Sequence, residues 1–374
     1  MKITRCTACV VLIFCAMVLP AQPLTDALKK EIDQRGHPSS IGQFAAVRHL
    51  SPINQDTTSS CWSFASISFI ESEMMRLGLD SVRLAVMYPV YSIFLEKMKQ
   101  FVETHGKSRF APGDLFFGVL ETVQKYGLVP MSAYRGSTCE WDTRNHTALY
   151  AELDSLTHRL KAAAQWNEED ALVQTRQILD KHLGAPPAEF VYRGKKYSPV
   201  SFAKEIVRLP WDNYVRVMSF QYAPFYANAV LKVPDNWMND SSFYNVPLDV
   251  WYQSMKDGLA AGYSFAFDAD ISEPGYRLGS GTVIVPQYDI PMNAITQEAR
   301  EFRFSTGATV DDHLMQAIGY TRVNGADWFL VKDSWRTAYQ SEHPGYLFID
   351  ESYMKLKVLA YMVHRDAIPG LWKK

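Results

Sequence analysis

The chain has 374 residues, of which 47% are hydrophobic and 13% aromatic, so it can bury a large core and is not a disordered or fibrous protein. Its 38 basic and 40 acidic residues give a formal net charge of -2, which provides no electrostatic basis for binding nucleic acid or an anionic membrane. The length suits two lobes or one large domain, and the sequence contains no internal repeat or low-complexity tract.

Residues 1–21 are typical of a secretory signal peptide. Lys2 and Arg5 precede an apolar run from 8 to 19, and Ala21 is a small residue suited to cleavage. The run is too short to span a bilayer, so we expect a secreted or periplasmic protein that begins at residue 22. Removal of the two basic residues leaves 36 basic against 40 acidic residues, a net charge near -4.

Cysteine usage limits the disulfide content. Cys6, Cys9 and Cys15 lie in the signal segment, so Cys61 and Cys139 remain. These two could form one disulfide, which would exclude Cys61 as a nucleophile, or both could stay free. The sequence has no CxxC, HExxH or comparable ligand spacing, so we predict no metal site and no cofactor.

The first strong helix prediction follows a polar loop. Residues 56–60 are suited to a loop and a helix cap, and Gly78 is a plausible stop. Between them, five apolar side chains recur at helical spacing: Phe64, Ile67, Ile70, Met74 and Leu77. The pattern therefore places Cys61 at, or just inside, the amino end of a helix.

The rest of the chain changes from helical to strand-rich. Helical patterns cover residues 84–104, 114–126 and 147–183, and loops with short strands are expected from 185 to 250. Runs rich in aromatic and β-branched residues predict strands at 264–271, 313–323, 327–335 and 346–354. We predict an α+β fold with two lobes and a cleft between them.

Three residues in these segments could form a nucleophilic site. A reactive thiol must lose its proton, needs a base or cation beside it, and needs a donor for the developing oxyanion. The helix amino end at Cys61 favours negative charge. His313 could supply the imidazolium, and Asp333 could orient that ring from its far side. Each of these residues alone is more often structural.

Taken together, the sequence resembles the papain-like cysteine peptidases. The residues that carry the resemblance are Gln55, Cys61-Trp62-Ser63-Phe64-Ala65, His313 followed by Gly319-Tyr320, Lys332-Asp333-Ser334-Trp335 and Gly345-Tyr346. The resemblance implies that Cys61 is the nucleophile, with His313 and Asp333 as its catalytic partners. It also implies an oxyanion hole formed by the Gln55 side chain and the backbone N–H of Cys61. Trp335 would shield the His313–Asp333 bond, with Trp62 in support.

A closer resemblance is to the bleomycin hydrolase and aminopeptidase C branch of these peptidases. It rests on residues 110–130, 192–207, 233–251, 262–276 and 362–369. It implies a helical lobe at about 50–140, an inserted region at about 141–250 and a β-rich lobe at about 251–374. It further implies aminopeptidase action and, for the assembly, a possible homo-hexamer.

Three features depart from that family. Asp333 stands where asparagine is usual, and Ser59-Ser60 replace the glycines before the nucleophile. In the branch, a carboxyl-terminal arm captures the substrate amine in the cleft, whereas here only residues 370–374 follow Pro369. The leading hypothesis is an exported cysteine peptidase of peptides or proteins, an aminopeptidase more than an endopeptidase. The alternative is a catalytically inactive papain-fold protein that binds peptides.

Overall fold

The computed structural model describes residues 22–137 and 144–372, with side chains from residue 25 onward. The predicted signal peptide and Cys139 lie outside these residues. No helix in the described ranges is long and apolar enough to cross a membrane.

The described chain contains eleven α-helices and twelve β-strands. The helices are α1 Gln22–Arg35, α2 Cys61–Arg76, α3 Met87–Glu103, α4 Phe116–Tyr126, α5 Thr147–Ala162, α6 Glu168–Leu183, α7 Pro199–Phe202, α8 Leu248–Ala260, α9 Pro274–Arg277, α10 Gln297–Ser305 and α11 Glu351–Lys357. The strands are β1 Ala45–Ala46, β2 Phe190–Tyr192, β3 Lys195–Tyr197, β4 Tyr214–Met218, β5 Ala227–Ala229, β6 Phe243–Asn245, β7 Phe265–Ala269, β8 Thr282–Val283, β9 His313–Val323, β10 Ala326–Lys332, β11 Tyr346–Asp350 and β12 Val358–His364. The α+β class predicted from the sequence is confirmed.

Ten of these strands form one sheet, in the order β5-β6-β4-β12-β7-β9-β10-β11-β8, with β1 paired to β9. Helix α2 packs on β9 and β7, and α8 and α11 pack near β9 and β10. Two large buried clusters result, one mainly among the helices of the first half and one around α8, α11 and the sheet. The sheet also takes β4, β5 and β6 from residues 214–245, which precede the predicted β-rich lobe; the lobe boundaries stay a prediction.

A tight hairpin joins the two central strands that flank the site. Asn324 and Gly325 have φ values of 51° and 86°, the left-handed conformations of a two-residue type I′ turn. This turn pairs Ala326 with Val323, and the register carries Lys332 opposite Gln316 after a bulge between Leu330 and Val331. The hairpin therefore returns the chain from Lys332 to the end of the sheet at which β9 begins.

Two element predictions need correction. The segment 147–183 is not one helix but two, because the chain breaks after α5 and α6 starts anew at Asn167, whose side chain accepts from Asp170 N at 2.9 Å. The predicted strand 346–354 ends at Asp350, whose carboxylate accepts from Tyr353 N at 3.2 Å and begins α11. In both cases a side-chain cap, and not hydrophobicity, sets the boundary.

Candidate active site

Cys61 is the first residue of α2 and is partly exposed, with a free thiol. A backbone N–H at this helical position has no acceptor within its own helix, so it can donate to a ligand. The next side chain, Trp62, is buried and donates from Nε1 to the Pro112 carbonyl at 3.0 Å. This bond ties the start of the helix to the loop that precedes α4.

His313 and Asp333 form a buried pair in front of this helix. His313 Nε2 lies 2.7 Å from Asp333 Oδ1, and both side chains are almost fully buried. The Cys61 sulfur lies near enough to the same ring to act on its pKa. Burial alone would lower the pKa of His313, but Asp333 and then the Cys61 sulfur outweigh it and raise that pKa to about 10. With this pKa the ring is an imidazolium at neutral pH, hydrogen-bonded to the Asp333 carboxylate.

The Asp333 carboxylate is fixed by two further donors. Its Oδ1 also accepts from the backbone N–H of Trp335 at 2.9 Å, and its Oδ2 accepts from the hydroxyl of Tyr276 at 2.5 Å. The rings of Trp335 and Tyr276 both pack edge-on to His313, at centroid distances of 6.3 and 6.4 Å. Because an asparagine amide would turn a donor toward Tyr276, the tyrosine hydroxyl matches a carboxylate at this position.

Gln55 is buried, and its amide has a defined orientation. The Ser334 hydroxyl donates to Gln55 Oε1 at 2.6 Å, and Gln55 N donates to the Ser334 carbonyl at 2.8 Å. Since Oε1 already accepts a hydrogen bond from Ser334, the Nε2 amide group is the end that can donate to a substrate oxyanion. The same segment that carries Asp333 thus also orients Gln55.

The loop between Gln55 and the helix is held by residues that lead into α5. Thr57 N donates to the Arg144 carbonyl and His146 N donates to the Thr57 carbonyl, both at 3.0 Å. Tyr150 adds a hydrogen bond from its hydroxyl to the Thr58 carbonyl. Ser59 has a φ of 47°, a conformation in which glycine is easier to accommodate, so the backbone keeps a glycine-like shape despite the substitution.

Comparisons with known proteins identify the family and the fold. The model of the peptidase C1-like family matches residues 112–374. The chain belongs to this family. The matched range does not include Gln55 or Cys61. The crystal structure of PepW from Lactobacillus rhamnosis has the same fold, although its sequence is only 18% identical. The match covers 94% of this chain and 90% of PepW, with a TM-score of 0.69. Among curated proteins, no sequence matches this chain.

Two further solved structures are less similar. A mite allergen structure, from a study of Blo t 1 and Der p 1, matches with 13% identity over 92% of this chain and 82% of that one, at a TM-score of 0.41. SERA5E from Plasmodium falciparum matches with 12% identity over 84% and 89%, also at 0.41. Neither likeness is strong enough to add to the argument.

In this member of the C1-like family, the predicted site residues lie in one region. Asp333 is hydrogen-bonded to His313, and Cys61 lies near enough to act on the same ring. Gln55 is oriented by Ser334, Trp335 packs on the imidazole, and Trp62 lies in the core behind Cys61. Their roles stay predictions. Across residues 22–137 and 144–372, no group of three or more His, Cys, Asp or Glu side chains has an arrangement that could hold a metal ion.

Sequence reasoning missed Tyr276 and Ser334. Tyr276 is one tyrosine among 20, and nothing in its local pattern indicates a bond to a residue 57 positions later. Ser334 stands inside a recognised motif, yet its role depends on Gln55, which comes from the other end of the chain. Only the assembled fold shows either contact.

Proposed function

We propose that this protein is a cysteine peptidase in which the Cys61 thiolate attacks the peptide carbonyl. The observation that supports this most is the buried hydrogen bond between His313 and Asp333, with the Cys61 sulfur near enough to raise the pKa of the same ring. A thiolate beside an imidazolium is a strong nucleophile that forms at neutral pH.

Each step of the reaction has a residue suited to it. The Cys61 sulfur bonds to the carbonyl carbon, and the oxyanion accepts hydrogen bonds from Gln55 Nε2 and Cys61 N–H. His313 gives its proton to the leaving amine as the C–N bond breaks, which leaves an acyl-enzyme. Water then attacks the thioester, His313 takes its proton, and the thiolate is released with the carboxylic acid.

Aminopeptidase action and export belong to the same proposal. Both rest on sequence: the first on the resemblance to the bleomycin hydrolase and aminopeptidase C branch, the second on the signal-like residues 1–21. Export is tested by the amino-terminal sequence of the protein recovered outside the cytoplasm, which we expect to begin at residue 22. The possible hexamer is tested by gel filtration with light scattering.

The peptidase proposal is tested by two measurements on the purified protein. We expect hydrolysis of fluorogenic peptides that is abolished by Cys61→Ala. We also expect iodoacetamide to label Cys61 below pH 7 in the wild type, and His313→Ala to remove that labelling. If labelling requires alkaline pH in both proteins and no peptide is cleaved, the chain is instead a papain-fold binding protein.

A further inference from the structure

Three carboxyl groups lie together beside the active site, and some of their oxygens have no hydrogen-bond donor. Asp268, on β7, is fully buried, and within the described chain neither of its side-chain oxygens accepts a hydrogen bond from a donor. Asp311 accepts from Asp235 N at 3.1 Å through Oδ2, but its buried Oδ1 has no such partner. Burial and then the neighbouring Asp311 raise the pKa of Asp268 well above its usual value. Such a pair must hold a proton between them or bind a cation.

The third carboxylate, of Asp235, lies directly over the loop that is bound to Trp62. A Cβ built on Gly113 would be 1.8 Å from Asp235 Oδ2, so the carboxylate occupies the space that a side chain at 113 would fill. The two nearby cations are already engaged: Lys97 donates to the carbonyls of Ala111 and Gly113, and Arg109 lies 3.7 Å from Asp235. They offset the charge of Asp235, and Arg109 also acts on Asp311, but neither cation is among the groups that shift the pKa of Asp268.

Sheet order places this cluster on the β7 side of His313. His313, at the start of β9, lies between β10, which leads to Asp333 and Trp335, and β7, where Ala269 pairs with His313 and Asp268 with Leu314. In the proposed reaction the leaving amine takes its proton from His313, and an acyl part that extends toward β7 would lie beside this cluster. The Cys61 sulfur is near enough to raise the pKa of Asp268 further.

The described carboxyl-terminal residues lie elsewhere. Trp372 donates to the Arg365 carbonyl at 3.3 Å, and the preceding His364 stacks on Tyr263, whose ring is 4.2 Å from the Arg76 guanidinium. Arg76 ends the 16-residue helix that Cys61 begins, which corresponds to about 24 Å along the helix axis. Residues 365–372 therefore begin at the end of α2 opposite the thiol, and none of their groups can meet a substrate amine at Cys61.

We propose that Asp268, Asp311 and Asp235 form an anionic subsite that binds a primary ammonium group on the acyl side of the substrate. This rests on the proposed peptidase function. An ammonium offers one charge and three N–H donors, which match acceptor oxygens that lack partners. Its source is either the free α-amine of a peptide or a lysine side chain. In the first case Asp235 and Asp311 close the cleft and position the amino terminus.

The source is distinguished with three fluorogenic substrates of equal length: an alanyl peptide with a free amine, the same peptide N-acetylated, and an N-acetylated peptide with lysine in place of alanine. We expect kcat/KM to be at least 10-fold higher for a cationic substrate than for the neutral one. Asp311→Asn should reduce this ratio roughly 10- to 100-fold, the effect of one charge-assisted hydrogen bond. Asp366→Asn, an equal charge change on an exposed side chain at the opposite end of α2, should leave the ratio unchanged.

A binding measurement keeps the subsite testable apart from turnover. Alanine amide should protect Cys61 from iodoacetamide in the wild type and less well in Asp311→Asn, whereas N-acetylalanine amide should protect neither. Thermal melting of each variant identifies a folding defect. Equal cleavage of neutral and cationic peptides, or equal ratios in Asp311→Asn and Asp366→Asn, would overturn the subsite while leaving the peptidase proposal intact. If no peptide is cleaved but alanine amide still protects selectively, the subsite stands and the peptidase proposal fails.

Discussion

The carboxylate at position 333 gives the most direct prediction. Asp333→Asn removes one unit of buried negative charge from the far side of His313. With charge centres about 4 Å apart and an effective dielectric constant of about 20, the lost attraction is about 4 kcal/mol, which corresponds to about three pKa units. Since the pKa of His313 is about 10 in the wild type, the alkaline limb of kcat/KM should move down by up to about three pH units.

The pH–rate profile of a fluorogenic peptide measures this shift, with Tyr276→Phe as the control. Tyr276→Phe removes a donor to Asp333 but keeps the carboxylate, so it should retain most of the alkaline limb. We also expect Asp333→Asn not to increase kcat/KM at its optimum, because the new amide donor faces the Tyr276 hydroxyl. If the substitution leaves the limb in place, or greatly activates a feeble enzyme, Asp333 is not an adaptation for the ion pair.

The same substitution should change the pH dependence of stability. Asp333 is among the groups that raise the folded-state pKa of His313 above its unfolded value of 6.5. The resulting stabilisation is fully present below pH 6.5 and is lost as the pH rises through about 10. The difference in melting temperature between wild type and Asp333→Asn should therefore be larger at pH 6 than at pH 10, and a constant difference would contradict this reading.

Three further substitutions separate the contributions of the site. Gln55→Ala should lower kcat by about 10²- to 10³-fold with little change in KM, as expected for a lost oxyanion donor, and steady-state kinetics would show it. Ser334→Ala, which frees the amide of Gln55 without removing it, should lower kcat about 2- to 10-fold, since one neutral hydrogen bond contributes about 0.5–1.5 kcal/mol; a loss as large as that of Gln55→Ala would mean that Ser334 does more than orient. Trp335→Ala exposes the His313–Asp333 hydrogen bond to water, which weakens the electrostatic attraction between the two groups. The alkaline limb of the pH–rate profile should therefore move down by about one pH unit. An unchanged limb would contradict the shielding role of Trp335.

The sequence allowed prediction of the residues that act locally or belong to a recognised motif. The helix that starts at Cys61 follows from the apolar stripe of residues 64–77, and strand β9 was predicted with its observed bounds, 313–323. The α+β class followed from these patterns. What local patterns could not give was the boundary set by a cap, as at Asp350, where an apparently continuous β-rich run turns into α11.

Contacts between segments that are distant in the sequence were the second feature that the sequence could not predict. The bond from Tyr276 to Asp333 and the bond from Ser334 to Gln55 join residues 57 and 279 positions apart, and no spacing rule connects them. The carboxyl cluster has the same character, because Asp235, Asp268 and Asp311 come from a loop, a strand and the lead into another strand. Each looks like an ordinary polar residue until the sheet order brings the three together.

The position of β9 between β7 and β10 explains how these separate features can serve one reaction. His313 needs a carboxylate behind it to remain charged, yet a second uncompensated carboxylate on the same side would compete for its proton. The sheet avoids this conflict because Asp333 approaches from β10, whereas Asp268 is carried by β7 and lies beside Asp311. Asp333 on the β10 side can then set the pKa of His313 for proton transfer to the leaving group. The carboxyl cluster on the β7 side can separately bind the acyl part of the substrate. The two sets of variants proposed above should accordingly act independently: Asp333→Asn on the pH profile, and Asp311→Asn on the preference for cationic substrates.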